Sequence, residues 1–107
     1  MIEAMSIERY IEVEDGFKVW TKTVGGGASR ELPPLLVLHG GPGMGHEYLE
    51  NLSLLASSKQ RVIFYDQLGC GKSDCPNDPK RWQIPRFVCE VEMVRNALNL
   101  DRVIILG

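Results

Sequence analysis

The sequence feature that most limits the possible folds of this 107-residue chain is a set of three short apolar segments separated by two helical patterns. The apolar segments are Leu35–His39, Arg61–Asp66 and Arg102–Leu106. Uninterrupted apolar strands of this length are typical of parallel sheets, whose strands are buried on both faces. The helical patterns lie between them, at Glu47–Ser57 and Ile84–Leu98. The alternation therefore predicts an α/β fold in which helices cover a parallel sheet.

A β-hairpin is predicted ahead of these units. Ser6–Val13 and Phe17–Val24 carry partly alternating apolar residues, and the turn Glu14–Gly16 separates them. Repeats and internal boundaries are absent from the sequence, so residues 1–107 are interpreted as part of one domain. The predicted order is a hairpin followed by parallel β-α-β-α-β units.

The longer helical pattern shows a clear division into two faces. Pro85 lies in its predicted first turn, and Asn99 is the expected left-handed residue at its end. The Arg86–Glu90 pair is interpreted as a solvated surface pair. The predicted apolar stripe consists of Ile84, Phe87, Val88, Val91, Val94 and Leu98, and the opposite face carries Arg86, Glu90, Glu92 and Arg95.

Composition argues against several classes of partner. A formal net charge of −2 provides no basic surface for nucleic acid or an anionic membrane. No apolar run approaches the length of a membrane span, and the acidic N-terminus lacks the pattern of a signal peptide. We therefore expect a cytoplasmic protein. The three cysteines are odd in number and show no CxxC spacing, so they are interpreted as free thiols.

The segment His39–Gly43, HGGPG, lies between an apolar strand and a helical pattern. Glycine allows close approach of the backbone to a ligand, and its N–H is not shielded by a side chain. One interpretation is a pre-organised backbone donor for a developing oxyanion. The other is a tight turn that only connects a strand to a helix.

Four blocks in order resemble the proline iminopeptidase-type members of the α/β-hydrolase fold. These blocks are HGGPG, VIFYDQLGCGKSD at Val62–Asp74, the helix with Trp82, Phe87, Glu90 and Arg95, and LDRVIILG at Leu100–Gly107. The resemblance covers nearly the whole chain. It implies the N-terminal portion of the α/β-hydrolase fold, in which the strands starting at Leu35 and Arg102 are neighbours.

The resemblance also implies roles for individual residues. Gly41 corresponds to the residue whose backbone N–H helps to form the oxyanion hole. Gly107 matches the first glycine of the G-x-S-x-G elbow, so the nucleophile, acid and base are expected beyond Gly107. The residues expected to support the site loops are His39, Gly40, Pro42, Gly43, Asp66 and Gln67.

The implied activity is that of a serine aminopeptidase, which releases an N-terminal residue, often proline, by acyl transfer. The substrate would be a small peptide or amino-acid amide, with no cofactor and no metal, and the resemblance does not specify the oligomeric state. Alternatives are an amino-acid amidase or esterase of the same fold. A further alternative is a non-catalytic truncated remnant or interaction module. We expect the chain to be an N-terminal fragment that is inactive alone.

Other chemistry-bearing residues have weaker functional interpretations. The GKS ending at Ser73 suggests a phosphate-binding loop, but the required first glycine is replaced by Asp66 and prolines follow closely. Cys70 is a conceivable nucleophile for which the sequence places no base. His39 is expected to brace its loop through hydrogen bonds, and His46 to start a helix or lie at the surface. No zinc-ligand spacing is present in the sequence.

Overall fold

The computed structural model describes residues 6–26, 31–40 and 44–107. Within these ranges one sheet contains β1 (Ser6–Glu14), β2 (Phe17–Val24), β3 (Leu35–Val37), β4 (Val62–Tyr65) and β5 (Ile104–Leu106). The described helices are α1 (Ile84–Ala97) and the 3₁₀ helices Glu47–Leu55 and Pro79–Arg81. None of these helices is long and apolar enough to cross a membrane.

The sheet has the order β1-β2-β4-β3-β5. The β1–β2 and β2–β4 pairs are antiparallel, and β3 is parallel to both β4 and β5. The predicted hairpin and the parallel units are confirmed. The hairpin turn has φ of 49° at Asp15 and 80° at Gly16, the left-handed backbone that favours an Asp-Gly pair in a two-residue turn.

Side chains of β4 alternate between two hydrophobic clusters, one on each face of the sheet. Ile63 and Tyr65 belong to the cluster that contains Val94 of α1, whereas Val62 and Phe64 belong to the cluster packed against the 3₁₀ helix Glu47–Leu55. All four β4 residues are buried. The strand is therefore covered on both faces, as its uninterrupted apolar sequence predicts.

Helix α1 follows the predicted bounds closely, but part of its predicted apolar stripe is not buried. Pro85 is in the first turn, and Asn99 adopts φ of 57° just after the helix. Val94 is fully buried, whereas Ile84 is 79% exposed and Val88 is 59% exposed. The N-terminal half of the stripe is not buried, because there the side chains border an open cavity instead of the sheet.

Two further elements differ from their predictions. The segment predicted as a helix at Glu47–Ser57 is a 3₁₀ helix over Glu47–Leu55 with no buried residue. Its serines and asparagine compete with the backbone for hydrogen bonds, which disfavours a regular α-helix. β5 was predicted to be buried, but its three residues are exposed. The reason is that none of its residues belongs to either hydrophobic cluster of the described residues, so its side chains are not covered by a helix.

Candidate functional site

The carboxyl ends of β3, β4 and β5 meet at one edge of the sheet, because these strands are parallel. Chain order changes direction here, since β3 lies between β4 on one side and β5 on the other. Leu38, just after β3, donates its N–H to the carbonyl of Leu106 at 2.9 Å. A β-carbon at Gly107 would lie 3.6 Å from the Leu38 carbonyl oxygen. Open α/β sheets bind ligands at such a position.

The His39 side chain ties the end of β3 to the end of β4. Its Nε2 accepts the backbone N–H of Gln67 at 2.9 Å, so Nδ1 carries the proton and donates to the Gly40 carbonyl at 2.9 Å. The Gln67 side-chain amide also donates to the His39 carbonyl at 3.4 Å. Because both ring nitrogens are engaged and the side chain is buried, His39 is held as a structural brace.

The loop after His39 is also connected to the following 3₁₀ helix. The Gly40 N–H donates to the hydroxyl of Tyr48, whose side chain is half exposed. Gly41, Pro42 and Gly43 lie outside the described residues. The predicted oxyanion donor at Gly41 and the supporting roles of Pro42 and Gly43 therefore stay predictions.

Asp66 organises the loop that follows β4. Its side chain is fully buried, one carboxylate oxygen accepts the Lys72 N–H at 2.9 Å, and its carbonyl accepts the Ser73 hydroxyl. The Ser73 Oγ in turn accepts the Trp20 N–H at 2.8 Å. Asp66 and Ser73 thus both make hydrogen bonds with backbone groups. The chain forms turns after Lys72 where a phosphate-binding loop would start a helix.

The backbone at Gly71 requires a residue without a side chain. Its φ of 51° is in the left-handed region, and a β-carbon at this position would overlap the Asp66 carboxylate. The glycine therefore serves the hydrogen bonding of Asp66, without any need for a bound phosphate.

The other oxygen of Asp66 holds His46, a residue that sequence reasoning underestimated. Asp66 Oδ1 accepts both the His46 N–H at 2.7 Å and the ring Nδ1–H at 2.8 Å. The His46 ring stacks on Trp20 with centroids 4.4 Å apart. His46 does precede the 3₁₀ helix, but the surface alternative is wrong because the residue is only 2% exposed. No short-range pattern links positions 46 and 66.

The Arg86–Glu90 pair is not a solvated surface pair. Glu90 is 1% exposed, and its carboxylate accepts Arg86 Nη2 at 2.8 Å and approaches the Leu68 N–H at 3.4 Å. Arg86 also donates to Glu14 on β1. The error came from treating Glu90 as part of the polar face. Its spacing from Phe87 and Val94 places it within the buried stripe, which was the available sequence signal.

Burial raises the pKa of two neighbouring groups, the Glu90 carboxyl and the Tyr65 hydroxyl. Desolvation raises the pKa of Glu90 above its ordinary value, although the charge and hydrogen bonds of Arg86 oppose the shift. Burial, followed by the negative charge of Glu90, raises the pKa of Tyr65 well above its ordinary range. Both groups therefore favour their neutral forms more than they would in water.

The raised pKa of Glu90 predicts a pH-dependent effect on stability. The native state keeps a proton that the unfolded chain releases, so this contribution is complete below the unfolded-state pKa and is lost as pH rises through the native-state pKa. Glu90→Gln has no such titration. Relative to that variant, the wild type should gain unfolding free energy as pH falls from neutrality toward the ordinary pKa of a glutamate. Urea unfolding across this range measures the difference.

A matched variant controls for loss of charge. Glu92→Gln removes an exposed carboxylate, bound by Arg95, from the same helix. A wild-type advantage over Glu90→Gln that stayed constant with pH, or grew as pH rose, would contradict the prediction.

A cavity of about 270 Å³ opens beside the His39 brace. One wall is formed by Tyr65 of β4 and by residues that follow β3 and β4, and the other by the N-terminal half of α1. The lining residues are Leu38, His39, Gly40, Tyr65, Gln67, Ile84, Phe87, Val88 and Val91. A mostly apolar cavity with few polar groups is typical of a small-molecule site. Among the described residues, no group of three or more His, Cys, Asp or Glu could hold a metal ion.

Comparison with known proteins agrees with this architecture. The family described as alpha/beta hydrolase fold matches residues 33–107. This chain belongs to the α/β-hydrolase family. The match includes β3, β4, α1 and β5 together with the loops that form the site edge.

Relatives within the α/β-hydrolase family include several proline iminopeptidases. The one from Heyndrickxia coagulans is 48% identical over 106 residues, covering 96% of this chain and 34% of that protein. The one from Levilactobacillus brevis is 49% identical over 77 residues, covering 71% of this chain and 26% of that protein. The resemblance inferred from the four sequence blocks is thereby confirmed.

A solved structure supports the same placement. The crystal structure of proline iminopeptidase from Mycobacterium smegmatis matches with a TM-score of 0.85 and 36% identity, covering 94% of this chain and 35% of that chain. The chain therefore spans about a quarter to a third of the length of these relatives. The predicted fold, the N-terminal portion of an α/β hydrolase, is confirmed.

Proposed function

We propose that this chain forms the oxyanion-loop portion of a serine aminopeptidase of the proline iminopeptidase type. The observation that carries the proposal is the position of Gly107 beside Leu38, next to the loop that begins at His39. The relatives named proline iminopeptidase support the choice of activity within the fold. The expected substrate is a small peptide or amino-acid amide with a free N-terminal residue, often proline, and the expected compartment is the cytoplasm.

The proposed chemistry is acyl transfer through a covalent intermediate. A serine hydroxyl beyond Gly107 attacks the carbonyl carbon of the N-terminal residue while a histidine takes its proton. The oxyanion accepts hydrogen bonds from the Gly41 N–H and from the residue after the serine. Collapse breaks the C–N bond, and the leaving amine takes the proton from histidine. Water then hydrolyses the acyl-enzyme by the same steps.

The residues of this chain would supply a donor and its support, not the nucleophile. His39 is engaged through both ring nitrogens, so the proposed base is a different histidine. The cavity beside His39 and Gln67 would receive part of the substrate, with the apolar residues of α1 as one wall. A cofactor or metal takes no part in this mechanism.

The test compares the full-length gene product with residues 1–107. We expect the full-length protein to hydrolyse a proline arylamide and to lose this activity after treatment with a serine-directed phosphonate. Residues 1–107 alone should show no hydrolysis above background, since the chain lacks the proposed nucleophile. Release of the arylamine, followed by absorbance, measures both.

Each alternative outcome has a different meaning. Turnover of other amino-acid amides or esters, without turnover of the proline arylamide, would favour the amidase or esterase alternative. Binding of peptides by the full-length protein without any turnover would favour a non-catalytic interaction module. Hydrolysis by residues 1–107 above background would contradict the proposed location of the nucleophile.

A further inference from the structure

We propose that His46 and Asp66 are positioning residues for catalysis, because they fix the C-terminal end of the loop between β3 and the following 3₁₀ helix beside the end of β4. The inference rests on the proposed function, in which this loop carries the oxyanion donor. His46 and Asp66 would act through the loop and would not touch the substrate.

Two consecutive residues, Asp66 and Gln67, bind the two ends of this loop. On the β3 side, the His39 ring accepts the N–H of Gln67. On the helix side, the N–H and ring of His46 both donate to the carboxylate of Asp66. Asp66 and Gln67 directly follow β4, whose residues are all buried between two hydrophobic clusters. Both described ends of the loop are therefore attached to the residues that directly follow the buried strand β4.

The His46 attachment is more extensive than one hydrogen bond. The ring lies 4.4 Å from Trp20 and 6.0 Å from Phe64, measured between centroids. The second Asp66 oxygen accepts the Lys72 N–H, so the carboxylate cannot rotate toward another partner without losing that bond. These contacts fix both the position and the orientation of the imidazole.

A buried Asp–His pair could instead be taken for a catalytic dyad. The geometry argues otherwise. Nδ1 binds Asp66, and Nε2 lies 3.5 Å from the carboxylate of Glu50, on the 3₁₀ helix. The residues that line the cavity beside α1 include His39 but not His46. Nε2 has no hydrogen-bond partner among the described residues, but it is buried and faces Glu50 instead of that cavity. The pair is therefore placed to hold the loop.

Loop position matters because an oxyanion donor acts mainly in the transition state. A displacement of about 1 Å can reduce the rate about 10²-fold. Loss of the His46 attachment should therefore lower kcat and change KM little. We expect a decrease in kcat of about 10- to 100-fold for His46→Ala.

The experiment uses His46→Ala, His46→Asn and His46→Gln in the full-length protein. The asparagine amide can place an N–H where Nδ1 lies, whereas the glutamine amide reaches the position of Nε2. We measure kcat and KM on a proline arylamide, per active site titrated to completion with a serine-directed phosphonate, and the melting temperature of each variant. His46→Asn should recover most of kcat, and His46→Gln should not.

The outcomes separate the inference from the proposed function. If all three variants melt at lower temperature but keep the wild-type kcat per active site, His46 only stabilises the fold and the inference fails. Rescue by glutamine but not by asparagine also overturns it, because the Nε2 side would then matter. If the wild-type protein shows no hydrolysis of amides, the proposed function fails and takes the inference with it.

Discussion

Asp66→Ala should lower the free energy of unfolding by about 3 to 5 kcal/mol. The variant removes the acceptor of three donors, the His46 N–H, the His46 Nδ1–H and the Lys72 N–H. Two of these donors are buried, and an unsatisfied buried donor loses its full hydration without compensation. Equilibrium unfolding in urea, with circular dichroism as the probe, measures the change.

Asp74→Ala is the matched control for this prediction. Asp74 lies in the same loop and also accepts a backbone N–H, that of Lys18 at 2.8 Å, but this bond is exposed to solvent. Water can replace the lost acceptor, so we expect a cost of about 1 kcal/mol or less. Equal losses for the two variants would show that the buried position of Asp66 has no special importance.

Short-range patterns in the sequence were sufficient for the individual strands and the long helix. The apolar run that contains Val62–Tyr65 has no alternation, which is the mark of a strand covered on both faces. Asp15 and Gly16 indicate a hairpin turn, and Asn99 indicates a helix end, because each tolerates a left-handed backbone. These features depend on a few neighbouring residues, so one sequence contains the necessary information.

Interactions between distant residues were not accessible in the same way. His46 and Asp66 lie 20 positions apart, and neither has a neighbour that predicts the pair. Glu90 was placed on the polar face because of its charge, although the ends of β1 and α1 supply Glu14 and Arg86 to form a buried network. A charged residue lies on the exposed face of a helix unless a partner offsets the free-energy cost of burying the charge. A partner from another element cannot be identified from the helical pattern alone.

The exposed side chains of β5 show a second limit of pattern reasoning. Ile104, Ile105 and Leu106 form an uninterrupted apolar run, much like that of β4, yet all three are exposed. An apolar run identifies a strand suited to burial but does not identify its neighbours. Among the described residues, β4 lies between the two hydrophobic clusters, whereas no residue of β5 belongs to either, and this difference accounts for their exposure.

The candidate site contains features that the sequence predicts and contacts that it does not. The sequence placed His39 after β3 and Asp66-Gln67 after β4, and the parallel pairing of these strands brings these residues together. The roles of His39 and Gln67 in joining the two strand ends needed the three-dimensional contact between them. The role of Gly41 follows from the family resemblance and calls for a direct test.

Gly41→Pro should reduce kcat of the full-length protein on a proline arylamide by about 10²- to 10³-fold. Proline removes the backbone N–H that is proposed to bind the oxyanion. The donor acts on the transition state more than on the bound substrate, so KM should change little. Steady-state kinetics over a range of arylamide concentrations separates the two constants.

Gly41→Ala controls for the added side chain, because alanine keeps the N–H. Its kcat should stay well above that of Gly41→Pro, while the melting temperatures of both variants report any damage to the fold. A proline variant that folds and keeps kcat within a few-fold of the wild type would place the oxyanion donor at another residue. Equal loss of kcat in both variants would assign the effect to the added side-chain atoms. Only proline removes the backbone N–H, so a lost hydrogen bond could not explain the loss in the alanine variant.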